Sequence, residues 1–362
     1  MTAAASVPAI MRAVVLTGHG GFDRLHLRTD WPVPQPGPGE VLIRVAAAGV
    51  NNTDINTRIG WYAKDVVVST DAAVAGGIAD DRAEAWSGSA FRFPRIQGAD
   101  VCGRIVSLGA GVPAARLGER VLVDPILRQN NAFDILYLGS ERDGGFADYV
   151  AVPAANAVPI NSDWSDVALA SLPCAYAAAE NILTRINLTQ GERVLVTGAS
   201  GGVGSAAVQL AKRRGAAVVA IAAGDKADAV RALGANHIVP RGADLPAGFA
   251  HDYFDAVVDS VGGSGFPALL DSLKPGGRYG VSGAIAGPRV DLDLRTLYLK
   301  DLRLIGCTVL DPQVFPNLVR YVEQGEIKPA IAATYPLFEI VAAQQAFLEK
   351  RHVGKIVLTL AD

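Results

Sequence analysis

Hydrophobic positions along the chain fall into two rhythms. Between residues 11 and 150, short apolar runs (MRAVVL, VLIRVAAAGV, GRIVSLGAGV, ERVLVDP, FADYVAVP) alternate with turn clusters such as PVPQPGPGE. Apolar runs of strand length cut by Gly and Pro predict an antiparallel, barrel-like β unit. From about residue 161 the texture changes: Ser165 to Ile186 has helical spacing. RVLVTG, VVAIAA, FDAVVDSVG and GGRYGVSG then alternate with helix-like SAAVQLAKRRG and KADAVRALG. Buried strands alternating with helices predict a parallel, doubly wound sheet. Two further helices, around PQVFPNLVRYVEQG and EIVAAQQAFLEKR, precede a GKIVLTL strand, and this segment is expected to return to the first unit. The predicted class is α/β, with residues 1–160 and 312–362 forming one domain and 161–311 the other. Residues 71–89, rich in Ala, Gly, Ser and Asp, read as an extended loop.

Composition narrows the function classes. The 362 residues suit two domains at roughly 100–200 residues each. With 19% charged residues and a net charge of −3, nothing offers a phosphate backbone an electrostatic footprint, so nucleic acid is not an expected partner. No basic residue precedes Arg12, no signal-peptide pattern opens the chain, and no apolar run is long enough to span a bilayer. The three cysteines, Cys102, Cys174 and Cys307, lie far apart, which fits neither a disulfide framework nor a compact four-cysteine metal site. These features predict a cytoplasmic protein in a reducing setting, with no membrane partner.

The strongest local signal is VLVTGASGGVGSAAVQLAKRRGA, a strand running through a glycine turn into a helix. A tight turn favours residues without Cβ, a pyrophosphate needs bare backbone to approach, and a helix N-terminus offers unpaired N–H groups. Ser200, Gly201, Gly202, Val203 and Gly204 are the expected phosphate cradle, although Ala199 takes the first fingerprint position. The alternative is a purely structural strand-to-helix connection.

Cofactor choice is read at the end of the next strand, where an NAD site holds an acidic residue for the ribose hydroxyls. Here stand Ala222, Ala223 and Gly224, with Lys226 following and Arg241 after HIVP. Small residues leave room for a 2′-phosphate and two cations would neutralise it, which predicts NADPH. Two alternatives stay open: Lys226 and Arg241 are solvated surface charges, or Asp225 is the ribose ligand after a shift of register.

The order of a Gly/Pro-rich β domain, the VTGASGGVG turn and a VGKIVL strand resembles the medium-chain dehydrogenase/reductase superfamily. GEVLIRVAAAGVN, GADVCGRIVSLGAGV, GERV, GGFADYV, LKPGGRYGVSG and LRLIGC match in order, so the resemblance spans Met11 to Leu360. It implies a GroES-like catalytic domain, an inserted Rossmann domain and an active site between them. Zinc members carry a Cys after the G-V of the third block, a Gly-His-Glu and a distant Cys. Here those positions read Gly49-Val50-Asn51 and Gly98-Ala99-Asp100, and only Cys174 falls near a ligand position. No cysteine occurs between Asp124 and Tyr149, where a structural zinc lobe would lie, so no metal is expected.

The resemblance is to the zinc-independent, quinone oxidoreductase-like branch, whose G-x-N-x-x-D pattern is met by Gly49, Asn51 and Asp54. It implies that Asn51 and Asp54 lie beside nicotinamide and acceptor, Asn51 donating a hydrogen bond to the acceptor oxygen, with Tyr62 a pocket wall or proton donor. The alternative is that NNTD caps the next helix. By the same resemblance Ser282 and Gly283 hold the nicotinamide end, residues 259–263 line the cleft, Lys350 or Arg351 reaches the 2′-phosphate, and LRLIGCTVL is the edge of a homodimer. The expected partner is a small electrophilic acceptor, a quinone or conjugated enone. The competing readings are a zinc-free alcohol or aldehyde reductase and a non-catalytic NADPH-binding protein.

Overall fold

The computed structural model describes residues 7–76, 84–131 and 133–360. Strands Arg193–Val196, Ala217–Ala222, His237–Pro240, Phe254–Asp259, Leu273–Val281 and Arg303–Gly306 form one six-stranded sheet, every neighbouring pair parallel. Numbered within the sheet, their order is 3-2-1-4-5-6, the doubly wound arrangement in which ligands bind where the order reverses, beyond the carboxyl ends of strands 1 and 4. The alternation of VLV, VVAIA and FDAVV with helices is thus realised as expected, because strands covered on both faces can be apolar throughout.

Glu40–Val50, Cys102–Leu108, Arg120–Val123, Tyr149–Pro153 and Ala157–Pro159 belong to a second sheet that is antiparallel up to Lys355–Thr359. That last strand lies between Glu40–Val50 and Ile331–Pro336, so residues near 360 complete the first unit. Helix Val314–Glu323 does not go with them. It packs against helices Pro173–Arg185 and Gly202–Arg213, with Tyr321 Oη donating to Glu180 and the Arg213 guanidinium over the Tyr321 ring. The return crossing therefore comes after this helix and not at residue 312.

Two local expectations change. Ser165 to Ile186 is two helices, Asp166–Leu169 and Pro173–Arg185, the second opening on a proline that suits a first helical turn. The loop read over residues 71–89 begins with a helix, Thr70–Gly76; residues 77–83 lie outside the described residues. Among the described residues no helix is long and apolar enough to cross a membrane.

Candidate active site

One cleft of about 1300 Å³ runs between the two units. Pockets for single drug-sized ligands span about 300–1,000 Å³, so this one has room for a dinucleotide and a second small molecule. Its floor is the glycine turn: Gly198, Ser200, Gly201, Gly202, Val203 and Gly204 all line it. The turn needs its glycines. A Cβ on Gly204 would fall 2.2 Å from Gly198 O, and Gly198 has a φ of +56°. Helix Gly202–Arg213 starts here, presenting first-turn N–H groups without helical partners. Ser282 and Gly283 line the cleft as well, with Ser282 N donating to Asp259 O. A Cβ on Gly283 would lie 2.9 Å from Ser260 O. Asp259, fully buried, accepts from Thr197 Oγ1, Tyr279 Oη and the N–H groups of Val261 and Gly262, which fixes the turn after its strand. The residues present fit a bound pyrophosphate and nicotinamide.

At one end, Ala222, Ala223, Lys226, Arg241 and Lys350 share the wall, while Asp225 is exposed and not part of it. Lys226 Nζ donates to Lys350 O, and burial, with Arg241 and Lys350 nearby, holds its ammonium below the usual pKa in spite of Asp225. Lys350 is ion-paired with Asp71 at 2.5 Å, and Arg351 is exposed and off the cleft wall.

The other end is built around a buried cation. The Lys355 ammonium contacts Asp100 Oδ2 at 2.8 Å and donates to Val50 O at 2.9 Å and to Asn51 Oδ1. Asn51 Nδ2 donates to Asp100 Oδ2 at 2.8 Å and to Gly49 O at 3.3 Å. Both amide hydrogens of Asn51 are therefore committed inward, and the donor expected to face an acceptor oxygen is already in use. Asp54 also departs from its expected place. Its carboxylate accepts from Asn51 N at 2.7 Å and Gly98 N at 3.3 Å, closing the start of helix Asn52–Ile59 below the cleft wall. Burial pushes its pKa up to about 7 against those two donors. Asn51 lines the cleft; Asp54 does not.

At the positions aligned with zinc donors, then, stand an amide (Asn51), an alanine (Ala99) followed by a carboxylate satisfied by an ammonium (Asp100), and a thiol (Cys174) that burial, assisted by Asp100, pushes up to about 12. Cys174 N donates to Asp100 Oδ1, so the carboxylate has a partner on each oxygen. Among the described residues no group of three or more His, Cys, Asp or Glu is arranged to hold a metal. This donor set does not fit a catalytic zinc.

Aromatic side chains close this end. Tyr62 Oη donates to Thr53 Oγ1 at 3.1 Å, and Trp61 Nε1 donates to Val68 O at 3.0 Å. Trp86 stacks on Tyr137 with ring centroids 4.4 Å apart, and Tyr137 Oη lies 3.1 Å from Cys174 Sγ. All line the cleft. Helix Thr70–Gly76 straps it: Thr70 N donates to Ile285 O and Thr70 Oγ1 to Asn56 Oδ1, while Asp71 holds Lys350. Trp86, Tyr137, Lys355 and this helix escaped the sequence reading. Lys355 lay inside the quoted VGKIVL motif without a role, and Tyr137 in a stretch read only for its missing cysteines.

Comparison with known proteins agrees with this architecture. The alcohol dehydrogenase GroES-like domain matches residues 37–162 and the zinc-binding dehydrogenase family residues 202–324. The chain belongs to the medium-chain dehydrogenase/reductase superfamily, and it is an oxidoreductase with a nicotinamide cofactor. An acryloyl-coenzyme A reductase of Metallosphaera sedula is 30% identical over 96% of this chain and 100% of its own. A chloroplastic NADPH-dependent alkenal/one oxidoreductase of Arabidopsis thaliana is 30% identical over 99% and 82%. A solved Sinorhizobium meliloti structure, provisionally described as an alcohol dehydrogenase, is 45% identical with a TM-score of 0.87, covering 98% of this chain and 97% of that one.

Proposed function

We propose that this protein is a zinc-independent, NADPH-dependent reductase of quinones or conjugated enones. The observation that carries the reading is the Lys355–Asp100 pair, 2.8 Å apart, with 2% and 0% of the two side chains exposed. An ammonium holds the carboxylate, and Asn51 and Ala99 stand where an open metal position would need thiolate and imidazole donors. Without a Lewis acid to polarise an alcohol or a simple aldehyde, the accessible substrates are already electrophilic. The names of the relatives, an alkenal/one oxidoreductase and an acryloyl-coenzyme A reductase, support a conjugated acceptor.

The reduced nicotinamide, when bound, supplies the hydride. Lys226 and Arg241 would take the 2′-phosphate at the alanine end, with charge-assisted hydrogen bonds that an NADH ribose cannot offer. The glycine turn would hold the pyrophosphate on the helix N-terminus, and Ser282 and Gly283 the nicotinamide end. Trp61, Tyr62, Trp86 and Tyr137 would give the acceptor an aromatic enclosure with Thr53 and Asn56 as polar points. The three described thiols are free and mostly buried, which supports a reducing, cytoplasmic setting.

A homodimer is part of the proposal. Strand Arg303–Gly306 ends its sheet, and Leu294, Tyr298, Leu299 and Leu304 around it are 64%, 62%, 70% and 39% exposed. An apolar sheet edge of this kind pairs with a second copy or aggregates.

The test is NADPH oxidation by chelator-treated, metal-assayed protein against quinones, enones and aldehydes, with NADH in parallel. Turnover of quinone or enone with NADPH and no bound zinc is expected. A requirement for added zinc, or cofactor binding without turnover on any acceptor, overturns the reading.

A further inference from the structure

Hydrogen-bond donors around the acceptor end of the cleft are unequally committed. Asn51 spends both amide hydrogens on Asp100 and Gly49 O, and Tyr62 donates to a hydroxyl on the neighbouring helix. Tyr137 is different. Its ring is fixed by stacking on Trp86 at an interplanar angle of 24°, and its backbone N–H donates to Glu141 Oε2 at 2.9 Å. It ends strand Ile135–Tyr137, which pairs with Ile126–Arg128, so backbone and ring are both held. The hydroxyl, in contrast, meets among the described residues only the Cys174 thiol, a weak donor and a weak acceptor. Burial keeps that thiol protonated, so no thiolate competes for the hydroxyl hydrogen, and the same burial holds the phenol's own proton well above its usual range.

A rigid ring with an easily redirected hydroxyl is suited to stabilise charge that appears only during reaction. We infer that Tyr137 is a catalytic hydrogen-bond donor, its hydroxyl turning from Cys174 Sγ to the carbonyl oxygen of the acceptor; this rests on the reductase reading of the same cleft. The acceptor gains a C–H bond from the hydride of NADPH, which is oxidised to NADP⁺. Two electrons of the conjugated π system move onto the acceptor oxygen, and water then supplies the proton. Tyr137 keeps its own proton throughout and acts by hydrogen bonding alone. Trp86 is the positioning residue that holds the ring.

Tyr137→Phe keeps the ring and its stacking and removes only the donor; Tyr62→Phe is the comparison. With 1,4-naphthoquinone and NADPH, Tyr137→Phe is expected to lower kcat by roughly a hundredfold, the scale of losing one oxyanion donor. The acceptor KM and the NADPH Kd should change less than about threefold, in line with a hydrogen bond that is weak in the bound ground state and strengthens in the transition state. The second readout is the infrared carbonyl stretch of 1,4-naphthoquinone bound with NADP⁺. It should be downshifted in the wild type and in Tyr62→Phe, and relaxed in Tyr137→Phe.

A Tyr137→Phe protein with kcat near wild type, or with an unchanged carbonyl stretch, overturns the assignment. A wild type that shifts the carbonyl but oxidises NADPH with neither quinones nor enones overturns the reductase reading and leaves the Tyr137 contact standing. Turnover with an unshifted carbonyl does the reverse. Failure of 1,4-naphthoquinone and of a conjugated enone alike to bind overturns both.

Discussion

The Lys355 ammonium and the Asp100 carboxylate meet 2.8 Å apart in the protein interior, and each is also hydrogen-bonded to Asn51. Removing one member of a buried ion pair leaves an uncompensated charge, which costs about 3–5 kcal/mol. Lys355→Met is therefore expected to lose stability on that scale in urea denaturation. Adding Asp100→Asn removes the orphaned charge and should restore at least half of the loss. Equal stability of the single and double variants would show that the charge is not the issue.

Asp54 makes stability depend on pH in an unusual direction. Its carboxyl is pushed up to about 7 in the folded protein against 3.8 for the free side chain, mainly by burial. The native state then holds the proton more tightly than the unfolded chain. Stability from this group is highest below about pH 4, falls as pH rises towards 7 and is flat above that. The whole span is on the order of 4 kcal/mol. Melting temperatures of the wild type should fall between pH 5 and 7.5, and Asp54→Asn should flatten that slope. A slope that survives in Asp54→Asn belongs to another group.

At the alanine end of the cleft, Lys226→Ala and Arg241→Ala should each weaken NADPH binding by roughly tenfold to a hundredfold, since a hydrogen bond to a charged group is worth about 1.5–3 kcal/mol. NADH binding, followed by the same fluorescence titration, should barely change. Equal losses for both cofactors would mean that the two cations do not select the 2′-phosphate.

The glycine turn separates folding from binding. An alanine Cβ at position 204 would overlap backbone at Gly198 and Ala199, so Gly204→Ala should lose about 1–3 kcal/mol of stability together with cofactor binding. At Gly201 the nearest atom is 3.4 Å from a new Cβ and φ is −76°. Gly201→Ala should melt like wild type and still bind the dinucleotide poorly, because the methyl group enters the cleft. Normal affinity there would move the pyrophosphate off this residue.

For the sheet edge, sedimentation of the wild type at micromolar concentration should give a dimer, and Leu299→Asp with Leu304→Lys a monomer. A wild-type monomer would refute the pairing.

The parallel sheet and its glycine turn were legible because their cause is local: apolar strands, a tight turn and a helix start all lie within VLVTGASGGVGSAAVQL. Gly49-Val50-Asn51 and Gly98-Ala99-Asp100 were legible as a departure from zinc donors, but not as the cluster they form. Lys355 reaches Asn51 across 304 positions, and no periodicity records such a meeting. Helix Thr70–Gly76 reads as a loop because Ala, Gly and Asp give it little pattern. It is held by distant partners, Ile285 O, Asn56 and Lys350. The alternative reading of NNTD as a helix start describes Asp54 well, since a carboxylate at the third position can cap the backbone while standing in a sequence pattern borrowed from catalysis.

Strand Lys355–Thr359 sits between Glu40–Val50 and Ile331–Pro336, with Lys355 bonded to Val50 O across 305 positions. The six parallel strands, all within 193–306, can join while the chain is still being made. The first sheet cannot. Its edge strand Ile331–Pro336 stays cut off from the five strands made earlier until residue 359 has left the ribosome, and Asp100 waits nearly that long for its counter-charge. Folding order can thus run opposite to chain order: the inserted unit can be whole before the unit that was begun first.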